Sequence, residues 1–182
     1  AVDPVEAAAV SYGDLLAETG RLANRLVRLG LKPGDRVAVQ VEKSVEGLLL
    51  YLATLRAGGV FLPLNTAYTD AELDYFIGDA EPSLVVCRPD ARTGVETIAA
   101  KLPGTRVETL GTAGDGSLAA LAAAAAAEWT DVERADDDLA AILYTSGTTG
   151  RSKGAMLSHR NLLSNAITLA ETWRFTADDV LL

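Results

Sequence analysis

Cysteine, histidine and methionine each occur once in the 182 residues, and each scarcity closes off some chemistry. A lone Cys87 cannot form an intrachain disulfide, and one cysteine with one histidine cannot furnish a structural zinc site. Cys87, inside SLVVC, reads instead as a small core hydrophobe. Basic residues are also few: 16 Lys and Arg face 25 Asp and Glu, for a formal net charge of -9. Such a surface repels a polyanion, and the cations are scattered singly, so nucleic acid is not expected as a partner. No window of 18 uncharged apolar residues occurs, and the opening AVDPVEAAAV lacks a basic stretch leading into an apolar core. Neither a membrane span nor a secretory leader is therefore read, and a soluble, cytoplasmic protein is expected. Aromatics make up 5% of the chain. Tyr51, Tyr75, Trp129 and Trp173 have no base-stacking spacing and are assigned to the core or to interfaces between layers. GxSxG, a dinucleotide-type GxGxxG and internal repeats are all missing.

What is present is a 49% hydrophobic chain, long enough to bury one core, with alternating helix and strand patterns. Ser11 and Asp14 have capping-box spacing before leucines at helical period, predicting a helix over 12–29. RVAVQV puts Val37, Val39 and Val41 on alternate positions of a strand. A helix capped by Ser44 and ending at Gly58 or Gly59 follows, then the short strand VFLPL, whose Pro63 marks an edge or an end. Thr69 and Glu72 open another helix. SLVVC, a helix around VETIAAKL, and RVETL continue the alternation. The alanine-rich SLAALAAAAAAEW predicts a helix or a mobile surface segment, and the acidic DVERADDD a solvated connector. DLAAILY reads as a buried strand, and HRNLLSNAITLAETW as a helix capped by Ser158. The order predicts a layered α/β/α fold with a largely parallel sheet and right-handed crossovers. The last residues, FTADDVLL, resemble the start of another strand, so the sequence is expected to belong to a longer protein.

Between the last strand and helix lies YTSGTTGRSKGAM (144–156). Glycines 147, 150 and 154 allow close backbone approach, and exposed amides in such a turn form a concavity for anionic oxygens. Thr145, Ser146, Thr148, Thr149 and Ser152 add hydroxyl donors, and Lys153 adds a positive charge, a set suited to a polyphosphate. Placement after a strand puts the loop where ligands collect in open α/β sheets. The spacing is not GxxxxGK[ST], because the lysine follows Ser152 and no hydroxyl follows the lysine. GAML continues as a strand, which predicts a hairpin-like flap with the loop at its tip. A plain flexible linker is the competing reading. Arg151 is read equally as a phosphate neutraliser and as an exposed arginine, and His159 as a cap or packing residue.

YTSGTTGRSKGAM resembles the signature loop of the adenylate-forming (AMP-binding) superfamily, which includes acyl- and aryl-CoA synthetases, luciferases and the adenylation domains of peptide synthetases. VSYGDLLAETGRLANRLVRLGLKPGDRVAV (10–39) and LRAGGVFLPLNTAYTDAELDYFIGDAEPSLVV (55–86) resemble its earlier blocks in the same order. The resemblance implies that Thr145, Ser146, Gly147, Thr148, Thr149, Gly150 and Lys153 contact the β- and γ-phosphates of ATP, with Lys153 the catalytic cation. Gly154 is implied as a geometric element at the loop's exit. Many members have proline where this chain has Ser152. RSKGAMLSH and LPLNTAYT are similar to malonyl-CoA synthetases, which points to a small carboxylic acid such as malonate.

The implied chemistry is adenylation of that acid by magnesium ATP, then transfer to coenzyme A. The acyl pocket, the adenine and ribose contacts, the metal-associated glutamate and the lysine of the small domain are implied to lie downstream. Residues 1–182 are thus expected to be the amino-terminal part of the large ATP-binding domain, inactive alone. Two other readings stand beside this one: an adenylation domain that loads a carrier protein, and a non-catalytic binding fragment.

Overall fold

Three of the six α-helices among the described residues begin with reciprocal caps, two of them announced as such by the sequence and the third only as a cap at Ser158. Ser11 Oγ accepts from the Asp14 amide at 3.1 Å while the Asp14 carboxylate accepts from the Ser11 amide, and Thr69 with Glu72 and Ser158 with Asn161 repeat the arrangement. Each cap satisfies amides that a helix start leaves without intrahelical partners. In the computed structural model, which describes residues 10–145 and 152–179, the elements run in this order: α1 (Tyr12–Arg28), β1 (Arg36–Gln40), α2 (Val45–Arg56), β2 (Val60–Pro63), α3 (Asp70–Ala80), β3 (Leu84–Cys87), α4 (Arg92–Ala99), β4 (Arg106–Thr109), α5 (Ser117–Ala123), β5 (Leu139–Thr145), β6 (Lys153–Ser158) and α6 (His159–Trp173).

The strands form one sheet in the order β4-β3-β1-β2-β5-β6. All neighbours are parallel except β5 and β6, which are antiparallel. Val37, Ala38 and Val39 of β1 are all buried, as expected when helices cover both faces of a parallel sheet. Val37 and Val39 join Leu22, Leu26 and Leu50 in a core beneath α1, α2 and α5. Ala38, Leu62, Val85 and Cys87 face Phe76, Ile77, Val95 and Ile98 of α3 and α4. The predicted α/β/α layering is therefore the observed one.

Four details differ from expectation. The alanine-rich stretch is helical only over Ser117–Ala123. Beyond it the chain crosses α1, where Arg21 donates to Ala125 O at 2.6 Å and Asn24 donates to Ala126 O and Glu128 O at 2.9 and 3.0 Å. Those side chains satisfy carbonyls that a continued helix would have used, so tertiary contacts override alanine's propensity. The acidic stretch is exposed yet anchored: Asp131 pairs with Arg56 at 2.7 Å, and Arg160 reaches Asp136 and Asp137 at 3.5 Å each. Val41 lies just past the end of β1, packed against the first core. Trp173 is 61% exposed and stacks edge-on against Phe175, because α6 buries no side chain among the described residues.

Cys87 is fully buried, and burial raises its thiol from an ordinary value near 9 up to about 11. The folded state holds that proton more tightly than the unfolded one. Stability should thus be complete below about pH 9 and fall by up to about 2 to 3 kcal/mol as the pH rises to about 11. Denaturant melts of wild type and Cys87→Ala across this range isolate the contribution, since the variant should lose that part of the alkaline slope.

Candidate functional site

β2 ends at Pro63, and its ladder with β5 is registered at Phe61 opposite Ala141. β5 runs on for four more residues, and β6 returns beside it with Ile142 opposite Met156, Leu143 opposite Ala155, Tyr144 opposite Gly154 and Thr145 opposite Lys153. The predicted hairpin is present, although only Ala140 and Ala141 of β5 are buried and Leu143 is 39% exposed. Tyr144 and Thr145 run past the end of β2, while Ile142 and Tyr144 pack against the second core.

Thr145 and Lys153 form the last pair of the ladder and bracket the glycine- and hydroxyl-rich segment at the carboxyl end of β5. Directly opposed residues project on the same face of a sheet, so the hydroxyl and the ammonium stand side by side. Both are exposed, and among the described residues Lys153 makes no ion pair. Ser146, Gly147, Thr148, Thr149 and Gly150, together with Arg151, lie outside the described residues. Gly154 has a steric reason to be glycine: a Cβ there would sit 2.9 Å from Ile142 Cγ2 and 3.5 Å from the Tyr144 ring.

The stem of the hairpin is fastened to α3 by residues to which sequence reading gave no such role. The Tyr144 hydroxyl donates to Asp79 Oδ2 at 2.5 Å, and the Tyr75 hydroxyl donates to the Ser152 carbonyl at 3.0 Å. The Phe76 and Tyr144 rings lie 4.5 Å apart, with Tyr68 and Tyr75 completing the cluster. Burial first, and then the hydrogen bond to Asp79, raises the Tyr144 phenol above its ordinary value, so it stays a donor further into the alkaline range than a free phenol. Tyr75 was read as isolated filler. Only its i,i+4 spacing from Asp79 hinted that the two share a helical face.

Other groups stand apart from this end of the hairpin. His159 begins α6 beyond Ser158, which pairs with Leu139, about 20 Å along the strand from Thr145. Its amide donates to Asp138 O at 3.0 Å. A cleft of about 780 Å³ opens at the carboxyl ends of β1 and β2, lined by Lys43, Tyr51, Phe61 and Asn65 among others. Among the described residues no group of three or more His, Cys, Asp or Glu side chains could hold a metal ion, and no helix is long and apolar enough to cross a membrane.

A parallel sheet ending in an antiparallel strand pair, with Lys153 directly after a Gly/Ser/Thr-rich stretch of sequence, agrees with the family model that matches the sequence, that of the AMP-binding enzymes, over residues 1–182. The chain belongs to the AMP-binding enzyme family. MatB from Rhodopseudomonas palustris, solved apo and with ATP bound, is 65% identical and superposes with a TM-score of 0.90, covering 93% of this chain and 34% of that one. A long-chain-fatty-acid–CoA ligase of Mycobacterium tuberculosis, FadD13, is 33% identical over 173 residues, 94% of this chain and 34% of its own length. An oxalate–CoA ligase of Arabidopsis thaliana is 34% identical over 163 residues, 87% of this chain and 32% of its own. The chain thus spans about a third of the length of these AMP-binding relatives.

Proposed function

We propose that this chain supplies the phosphate-gripping part of an enzyme that activates a small carboxylic acid as an acyl adenylate and passes the acyl group to coenzyme A. The observation that carries the reading is the hairpin that sets Lys153 opposite Thr145 at the carboxyl end of β5. ATP bound in a MatB structure at 65% identity supports the choice of nucleotide. The wording RSKGAMLSH and LPLNTAYT, similar to malonyl-CoA synthetases, favours malonate as the acid.

In this reading Thr145, Ser146, Gly147, Thr148, Thr149, Gly150 and Lys153 hold the β- and γ-phosphates. The acid's carboxylate oxygen bonds to the α-phosphorus while the bond to the bridging oxygen breaks, and negative charge gathers on the departing pyrophosphate. Donors already aimed at that charge lower the barrier, because they need no reorganisation as it forms. A thiolate then attacks the acyl carbonyl and AMP leaves. Magnesium bound to the ATP would add further charge neutralisation. The family resemblance implies a metal-associated glutamate downstream of these residues.

Residues 1–182 are proposed as the amino-terminal part of the large domain, unable to turn over alone, in a cytoplasmic enzyme. Leu163, Ile167 and Trp173 of α6 are 60%, 49% and 61% exposed, an apolar stripe that supports burial against further polypeptide. Exchange of labelled pyrophosphate into ATP by the full encoded protein, run over a panel of small acids, tests the function. Malonate or another short dicarboxylate should drive exchange well above background. Exchange with none of the acids would reject the reading.

A further inference from the structure

We propose that Tyr75 and Asp79, on one face of α3, are positioning residues that set where the hairpin presents Thr145 and Lys153 to the nucleotide. The inference rests on the phosphate-binding reading above. It starts from a mechanical problem: Phe61 opposite Ala141 puts the end of β2, Pro63, level with Leu143, so among the described residues Tyr144 and Thr145 have only β6 beside them in the sheet. Two strands paired only with each other are marginal in water.

α3 supplies what the sheet does not. Tyr75 fastens the carbonyl of Ser152, the residue before Lys153, and Asp79 fastens the hydroxyl of Tyr144, the residue before Thr145. One hydrogen bond therefore holds Tyr144 within β5 and the other holds Ser152 just before β6, each one residue from the ladder's last pair. Both bonds come from positions four apart on one helix, hence from one face. The helix is itself fixed. Its start is closed by Thr69 and Glu72, its inner face buries Leu73, Phe76, Ile77 and Ala80, and Arg36 binds Ala80 O and Glu81 O at 2.7 and 2.8 Å beyond its end. The Phe76 ring against Tyr144 adds packing but no direction; the two hydroxyls supply the direction. A shift of the stem by about 1 Å is enough to misplace groups that must meet the phosphates of bound ATP.

Tyr75→Phe, Asp79→Ala, Asp79→Asn and the Tyr75→Phe/Asp79→Ala double variant, made in the full encoded protein, test this, with Lys153→Ala as reference. The measurements are KM for ATP, KM for the acid, kcat and the melting temperature. Tyr75→Phe and Asp79→Ala should each raise KM for ATP about fivefold and the double variant further, the scale set by losing one hydrogen bond at a time. KM for the acid should stay within about twofold. Asp79→Asn keeps a carbonyl acceptor for Tyr144 and should recover most of the loss. The proposal is overturned if the double variant leaves KM for ATP unchanged, if both KM values and the melting temperature move together, or if Asp79→Asn is as impaired as Asp79→Ala. A silent Lys153→Ala would instead remove the parent reading, whereas a damaging Lys153→Ala beside silent tether variants removes only this one.

Discussion

Replacing Lys153 by alanine is expected to slow adenylate formation by about a hundredfold to a thousandfold, the usual cost of deleting one preorganised donor to transition-state charge. Folding should barely register the change. Lys153 is exposed at the first position of β6 and makes no ion pair among the described residues, and a surface substitution of that kind shifts stability by about 0.5 kcal/mol or less. Pyrophosphate exchange and thermal melting, measured on the same preparations, separate the two effects. Lys153→Arg should fall between alanine and wild type, because it restores the charge on a planar fork where a compact ammonium stood. Exchange at the wild-type rate in Lys153→Ala, or a loss of activity matched by an equal loss of stability, would end the assignment.

The sequence carried the local decisions of this fold and few of the distant ones. Caps at Ser11, Ser44, Thr69 and Ser158 were legible because each depends on residues within three positions. The strands were legible because both faces of a parallel sheet demand apolar side chains, and the hairpin because GAML resumes an apolar run directly after Lys153. Contacts across long stretches of chain were not legible. Tyr144 meets Asp79 across 65 residues and Tyr75 meets Ser152 across 77, and no periodicity encodes such pairs. The alanine-rich stretch failed for the same reason, since Arg21 and Asn24 reach it from more than a hundred residues away.

That crossing also reverses the expected sign of a substitution. Gly20 lies within α1, where alanine is normally better than glycine by about 1 kcal/mol. Here a Cβ would collide with the Ala127 carbonyl oxygen and come within 3.3 Å of Trp129 Cβ. The obstruction is backbone, held in place by the Asn24 amide and by Trp129, whose indole donates to Arg56 O at 3.2 Å. Relief therefore requires moving the crossing segment off α1 and weakening those bonds. Gly20→Ala should destabilise by about 2 to 4 kcal/mol, within the range for overpacking combined with weakened hydrogen bonds, and lower the melting temperature by roughly 5 to 12 °C. Gly78, in the interior of α3, is the control: a Cβ there meets nothing within 4 Å, so Gly78→Ala should be neutral or stabilising by up to about 1 kcal/mol. Opposite signs at two helical glycines locate the effect in the crossing segment, whereas a stabilised Gly20→Ala would mean that the segment does not lie against α1 in solution.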